Sequence, residues 1–202
     1  MMDKNRFIEL TQLAREGRNL EFKRSAPWDS PEFRAKIVKS ILAFSNVRDG
    51  GAIVIGVERQ TDQTYRFVGV EPGHLTQYSD DHIASVVAEF ADPYAKFSLE
   101  VAEFDNKTFI VILVDQFDGI PVICKRDGLA NLRKGAIYTR THRIPESAEV
   151  PSQTELREIL DMAVDKELRK YLERQTRVGI HLGLPSSVSD DEKFAAQRGD
   201  LI

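Results

Sequence analysis

The chain has 202 residues, 42% of them apolar and 30% charged, with a net charge of −4. That length suits one domain plus an extension and lets about 70% of the unfolded surface be buried, so a proper core is available. The longest apolar runs, 52–57 and 109–114, are far short of the ~20 residues of a membrane helix, and the single cysteine, Cys124, excludes an internal disulfide. With no charged segment leading into an apolar one at its start, the chain reads as a cytoplasmic protein without membrane contact.

In chain order the pattern is α+β. Phe7, Ile8, Leu10 and Leu13 predict a helix over 4–15, and 19–23 alternates like a short strand. Ser30-Pro31-Glu32 is a helix start, with Phe33, Ile37, Ile41 and Phe44 on one face as far as about Asn46. After the turn Arg48-Asp49-Gly50-Gly51, the run Ala52 to Glu58 is apolar until its last residue, as in a central strand covered on both faces. Residues 65–70 supply a strand to pair with it, Glu71-Pro72-Gly73 a loop, and 80–91 a helix with Ile83, Val86, Val87 and Phe90 inward. Strands at 97–104 and 108–114 flank Asp105-Asn106-Lys107, a hairpin turn by composition.

Shorter strands at 120–125 and 136–140 enclose a basic loop. A last helix starts near Ser152, where Glu155 completes a capping box, and runs to about Gln175. The expected organisation is a domain over 1–150, a C-terminal helix over 151–178 and a mobile tail over 179–202, since Gly183-Leu184-Pro185-Ser186-Ser187 and the acidic end hold few apolar residues.

Charge is unevenly spread. Lys125, Arg126, Arg133, Lys134, Arg140 and Arg143 face the single acid Asp127, and 15–48 carries eight bases to four acids. The loop 126–134, extended by Arg140 and Arg143, suits a phosphodiester backbone, and Tyr138 shares a strand face with Arg140, so the pair suits stacking on a base and holding a phosphate. A solvated loop and an amphipathic edge strand are the ordinary alternatives. No Gly-x4-Gly-Lys-Ser/Thr loop is present, the four histidines lack metal-ligand spacing, and no serine sits in a nucleophile elbow.

Acids at strand edges carry the chemistry. Glu21 and Lys23, two apart in a strand, share a face, and Glu16 precedes Glu21 by five positions. Phosphodiester cleavage needs a cation such as Mg²⁺ or Mn²⁺, held by carboxylates, to stabilise charge and activate a nucleophile; a neighbouring lysine can neutralise the charge that develops. The structural alternative for Glu21 and Lys23 is an exposed charge pair contributing under about 1 kcal/mol.

Leu20-Glu21-Phe22-Lys23, Ala43-Phe44-Ser45-Asn46 with Gly50-Gly51 and Ile55-Gly56-Val57-Glu58, Val68-Gly69-Val70, Ile120-Pro121-Val122 and Ile137-Tyr138-Thr139-Arg140 resemble, in order and spacing, the Schlafen AlbA_2 domain family over about 16–148. The resemblance implies a mixed sheet with flanking helices and association with nucleic acid. Bacterial members are often labelled DNA-binding regulators, and animal Schlafens cleave transfer and ribosomal RNA with three carboxylates in a two-lobed horseshoe. Carried over, those carboxylates are Glu16, Glu21 and Glu58, with Lys23 beside them; Glu58 stands where the family more often has aspartate.

Two functions follow as expectations. One is a metal-dependent endonuclease for structured, tRNA-like RNA, with Glu16, Glu21 and Glu58 on Mg²⁺ or Mn²⁺ and Lys23 assisting. The other is a non-catalytic DNA- or RNA-binding module of the regulator type. A single lobe regains a cleft by pairing with itself, so a homodimer is expected, with the C-terminal helix long enough to contribute.

Overall fold

A computed structural model of the protein describes residues 1–12, 16–142 and 145–178. The chain divides into two compact units, Met1–Val164 and Asp165–Ile202. Residues 13–15, Arg143, Ile144 and the expected tail over 179–202 lie outside the described residues.

In the first unit, helix α1 (Lys4–Thr11) starts at Asp3, whose carboxylate accepts the Asn5 amide at 2.9 Å. Strand β1 (Leu20–Lys23) leads to helix α2 (Pro31–Ser45), where Ser30 caps and Pro31 fills the first turn as its fixed φ favours. Strand β2 (Gly51–Ile55) is followed by β3 (Val57–Arg59) and β4 (Tyr65–Phe67), then by the one-turn helix α3 (Pro72–Leu75) where a plain loop was expected. Helix α4 (Asp80–Phe90) is capped by Ser79 and runs into β5 (Ala91–Asp92). The predicted hairpin is β6 (Phe97–Phe104) and β7 (Lys107–Val114), and Asp105 and Asn106 both take positive φ at its two-residue turn. Short strands β8 (Ile123–Cys124), β9 (Tyr138–Arg140) and β10 (Ser147–Glu149) precede helix α5 (Gln153–Arg177).

The fold is α+β, around a mixed sheet in the order β1-β2-β7-β6. Strands β1 and β2 are parallel, which requires a crossover, and α2 supplies it. Alternation along the strands splits the core. Phe22, Val54, Phe109 and Val111 pack with Phe7 of α1 on one face; Ile53, Ile55, Ile110 and Ile112 pack with Ile37, Ile41 and Phe44 of α2 and Ile83 and Val87 of α4 on the other. The register sets Glu21 beside Ile53 and Lys23 beside Ile55, so a carboxylate enters the layer under α2.

Two sequence features explain how this layer closes. Asn46, just past α2, accepts the Val122 amide at 2.8 Å and donates to the Val122 and Tyr138 carbonyls, which ties the helix end to the β8 and β9 segments. Gly50 has a φ of 67°, and a Cβ on Gly51 would lie 2.1 Å from the Phe44 ring, so the double glycine is a packing requirement of the turn.

The expected strand over 52–58 is broken. Gly56 has a φ of 109°, and a Cβ there would lie 2.8 Å from the Gly69 backbone, so the chain leaves the main sheet and Val57–Arg59 pairs with β4 instead. Glu58 therefore sits in a small hairpin. Gly56→Ala is expected to cost about 1–3 kcal/mol in urea unfolding, whereas Gly73→Ala, at a position with open space around it, changes stability by less than about 1 kcal/mol.

The start of α5 belongs to this unit. Ser152 accepts the Thr154 and Glu155 amides and its hydroxyl donates to the Glu155 carboxylate, while Ile159 and Met162 enter the core. In the second unit the helix continues to Arg177, with a Glu167–Lys170 pair on its surface.

Candidate functional site

Strand β1 is an edge strand, so its outward peptide groups need partners other than a ladder. Glu16 supplies one: its Oε1 accepts the Phe22 amide at 2.9 Å, and the Tyr65 hydroxyl donates to its Oε2 at 3.2 Å. Arg140 supplies another from β9, its Nη2 donating to the Gly17 carbonyl at 3.0 Å and the Leu20 carbonyl at 3.3 Å. The first expected carboxylate thus completes a sheet edge.

The same guanidinium holds the second. Arg140 is 1% exposed, lies 5.2 Å from the Phe44 ring centroid, and donates through Nη1 to Glu21 Oε2 at 3.1 Å. Ser147 donates to that oxygen at 3.2 Å, and Lys23 holds Oε1. Burial, the largest influence on Glu21, pushes its carboxyl up, but Lys23 and Arg140 outweigh it and the group is held below its ordinary value. Burial pulls Arg140 down, with Glu21 and then Glu16 opposing; an arginine stays protonated at neutral pH regardless.

This pairing predicts an acid-sensitive fold. The folded-state value of Glu21 is depressed, so its contribution is present above the unfolded value of about 4.3 and is lost as pH falls through the folded one. In urea titrations across pH, the stability gap between the natural protein and Glu21→Gln is expected to be widest near neutrality and to narrow below about pH 4.3.

As arranged, these residues do not fit a divalent cation. Each oxygen of Glu16 and of Glu21 already accepts from a protein donor, the charge of Glu21 is met by the buried Arg140 guanidinium and by Lys23, and Glu58 is exposed on β3 opposite Arg66. Among the described residues no group of three or more His, Cys, Asp or Glu is placed to hold a metal.

The basic loop is built differently from a loose solvated segment. Tyr138 is buried, and its hydroxyl accepts the Arg133 amide at 2.8 Å and donates to the Asn131 carbonyl at 2.6 Å, so it anchors the loop from beneath and presents no face for a base. Arg126 pairs with Glu89 at 2.7 Å and lies over the Phe90 ring, and Arg133 grips Glu149 with Nε at 3.0 Å. Lys125 and Lys134 are exposed with no ion-pair partner among the described residues, while Arg143 lies outside them. Lys39 of α2, absent from the sequence-based site, joins this surface with its ammonium 5.4 Å from the Tyr138 ring centroid. Its position in the basic 15–48 stretch was the available signal.

Edge, buried ion pair and basic loop together define an α+β domain with an exposed cationic loop. The chain belongs to the Schlafen AlbA_2 family, whose model matches residues 16–148. Membership points to association with nucleic acid. No curated protein matches the chain. Among solved structures, it is similar to the N-terminal domain of a protein from Nitrosomonas europaea described as related to the ATP-dependent DNA helicase RecG, with 23% identity, 70% of this chain and 94% of that one covered, and a TM-score of 0.47. It is also similar to the DIP2311 protein from Corynebacterium diphtheriae, at 14% identity over 66% of this chain and a TM-score of 0.45, and spans 22% of that protein's length. Among the described residues no helix is long and apolar enough to cross a membrane.

Proposed function

We propose that this protein is a non-catalytic nucleic-acid-binding module, with RNA favoured and DNA as the alternative, that holds the phosphate backbone on the exposed face of loop 125–134 and Lys39. The observation that carries this reading is a cluster of exposed bases on a loop whose shape is fixed from within by Tyr138. Arg126 and Arg133 are compatible with it, because exposed ion pairs contribute only about 0–1 kcal/mol and a phosphate can replace Glu89 or Glu149. Arg140 has a structural part in this account. The preference for RNA rests on the resemblance to RNA-cleaving Schlafens.

The test is the salt dependence of binding. Each phosphate contact contributes about 0.7–0.9 to the slope of log K against log salt, so Lys125→Ala with Lys134→Ala is expected to lower that slope by about 1.5 and to weaken all sequences alike. An unchanged slope contradicts the placement of the surface.

A second reading is the metal-dependent endonuclease acting on structured RNA, with Glu16, Glu21 and Glu58 on Mg²⁺ or Mn²⁺ and Lys23 at the scissile phosphate. What supports it is that Glu16 and Glu21 both act on one buried cation, the Arg140 guanidinium. It requires Glu21 to exchange that guanidinium for a metal.

A further inference from the structure

Between α2, α4 and the cationic loop lies a cavity of about 270 Å³, below the ~300–1,000 Å³ of sites for whole drug-sized ligands and suited to one planar ring system. Ala35, Val38, Val86 and Phe90 give it apolar walls, and Leu129 of the loop, 51% exposed, lines it as well. Its shape is fixed from the loop side. A Cβ on Gly128 would lie 2.7 Å from the Phe90 ring, and Asp127 braces the loop by accepting the Lys134 amide at 2.9 Å.

The cations around the cavity say what kind of ring it takes. Arg126 sets its guanidinium 5.0 Å from the Phe90 ring centroid, so the cavity presents the two surfaces on which bases stack, an aromatic ring and a guanidinium plane. Arg34 lines it from α2 with no ion-pair or side-chain hydrogen-bond partner among the described residues, which leaves its donors for the ring nitrogens and carbonyl oxygens of a base. The Lys125 amide donates to the Phe90 carbonyl at 2.8 Å, so a phosphate on the exposed Lys125 lies beside the cavity wall. We infer that, on the nucleic-acid reading from which this follows, the cavity receives one unstacked base of a bound single strand whose phosphates lie on loop 125–134. An apolar side chain of a protein partner would use the walls and leave Arg34 unanswered. A base paired within a duplex does not reach the cavity, so a single strand is preferred.

A single-stranded hexanucleotide and the same sugar–phosphate chain without bases carry equal charge, and together they separate stacking from phosphate contact. The full chain is expected to bind the base-bearing strand at least about fivefold more tightly, with the same salt slope for both. Phe90→Leu is expected to remove that difference. Val86→Trp, which fills the cavity from α4, is expected to do the same and serves if Phe90→Leu fails to fold. Equal affinity for the two strands overturns the inference and leaves an apolar side chain of a protein partner as the occupant; if that common affinity still falls with salt and with Lys125→Ala/Lys134→Ala, the cationic loop stands without the cavity. Binding of neither strand overturns both readings. A preference for bases that survives both variants puts the base elsewhere, and a loss in Phe90→Leu equally large on the baseless strand makes the ring a structural part of the loop. Either result contradicts the inference.

Discussion

Arg140→Met is expected to destabilise the first unit by about 3–5 kcal/mol in urea unfolding, because removing one partner of a buried pair leaves the other charge uncompensated. The side chain links β9 to the Glu21 carboxylate, and it also donates to the Gly17 and Leu20 carbonyls at the β1 edge. Lys23 remains on Glu21 in the variant, which keeps the loss from being larger. Adding Glu21→Gln is expected to recover at least about 1 kcal/mol of it, since the buried charge disappears with the substitution. A loss under about 1 kcal/mol in the single variant would show that the pair contributes no more than one at the surface.

The second large effect is expected at Asn46. Its carboxamide accepts from the Val122 amide and donates to the Val122 carbonyl at 2.8 Å, the Tyr138 carbonyl at 2.9 Å and the Leu42 carbonyl at 3.2 Å. Asn46→Ala strands buried backbone groups of two different segments. Each such group costs about 1–3 kcal/mol, so a loss of about 3–5 kcal/mol is expected, or roughly 10 °C in the thermal midpoint at this chain length. Asn46→Asp keeps the acceptor, loses both donors and buries a charge, so it is expected to do no better. A shift under about 3 °C for Asn46→Ala would contradict this part of the account.

Local signals made most elements legible. The Ser30-Pro31 start, the Asp105-Asn106 turn and the apolar periodicity of α2 and α4 each state a local preference that the tertiary structure keeps. The break at Gly56 was hidden, because an all-apolar run reads as one strand and only the close approach of Gly69 requires the positive φ. Strand β10 was hidden too, since three residues, Ser147–Glu149, are too few for a period.

The candidate site was legible in its residues and not in its geometry. Glu16 and Glu21 stand out in sequence as acids at a strand edge, yet their partners come from Tyr65 and, 119 positions away from Glu21, from Arg140. Alternation along 136–140 put Tyr138 and Arg140 on one face correctly but could not say that this face turns inward, against Phe44 and under the loop. Lys39 reaches that loop only through the packing of α2 on β9.

On the proposed reading, Glu16 and Glu21 complete the fold while the cationic loop binds nucleic acid without cutting it. The direct test is incubation of the protein with a transfer RNA pool in Mn²⁺, in Mg²⁺ and in EDTA, beside Glu21→Gln, reading both cleavage and bound fraction. The account predicts intact RNA and the same salt-sensitive bound fraction in all three conditions for the natural protein. Cleavage that requires the metal and disappears in a folded Glu21→Gln variant would contradict it and establish the endonuclease.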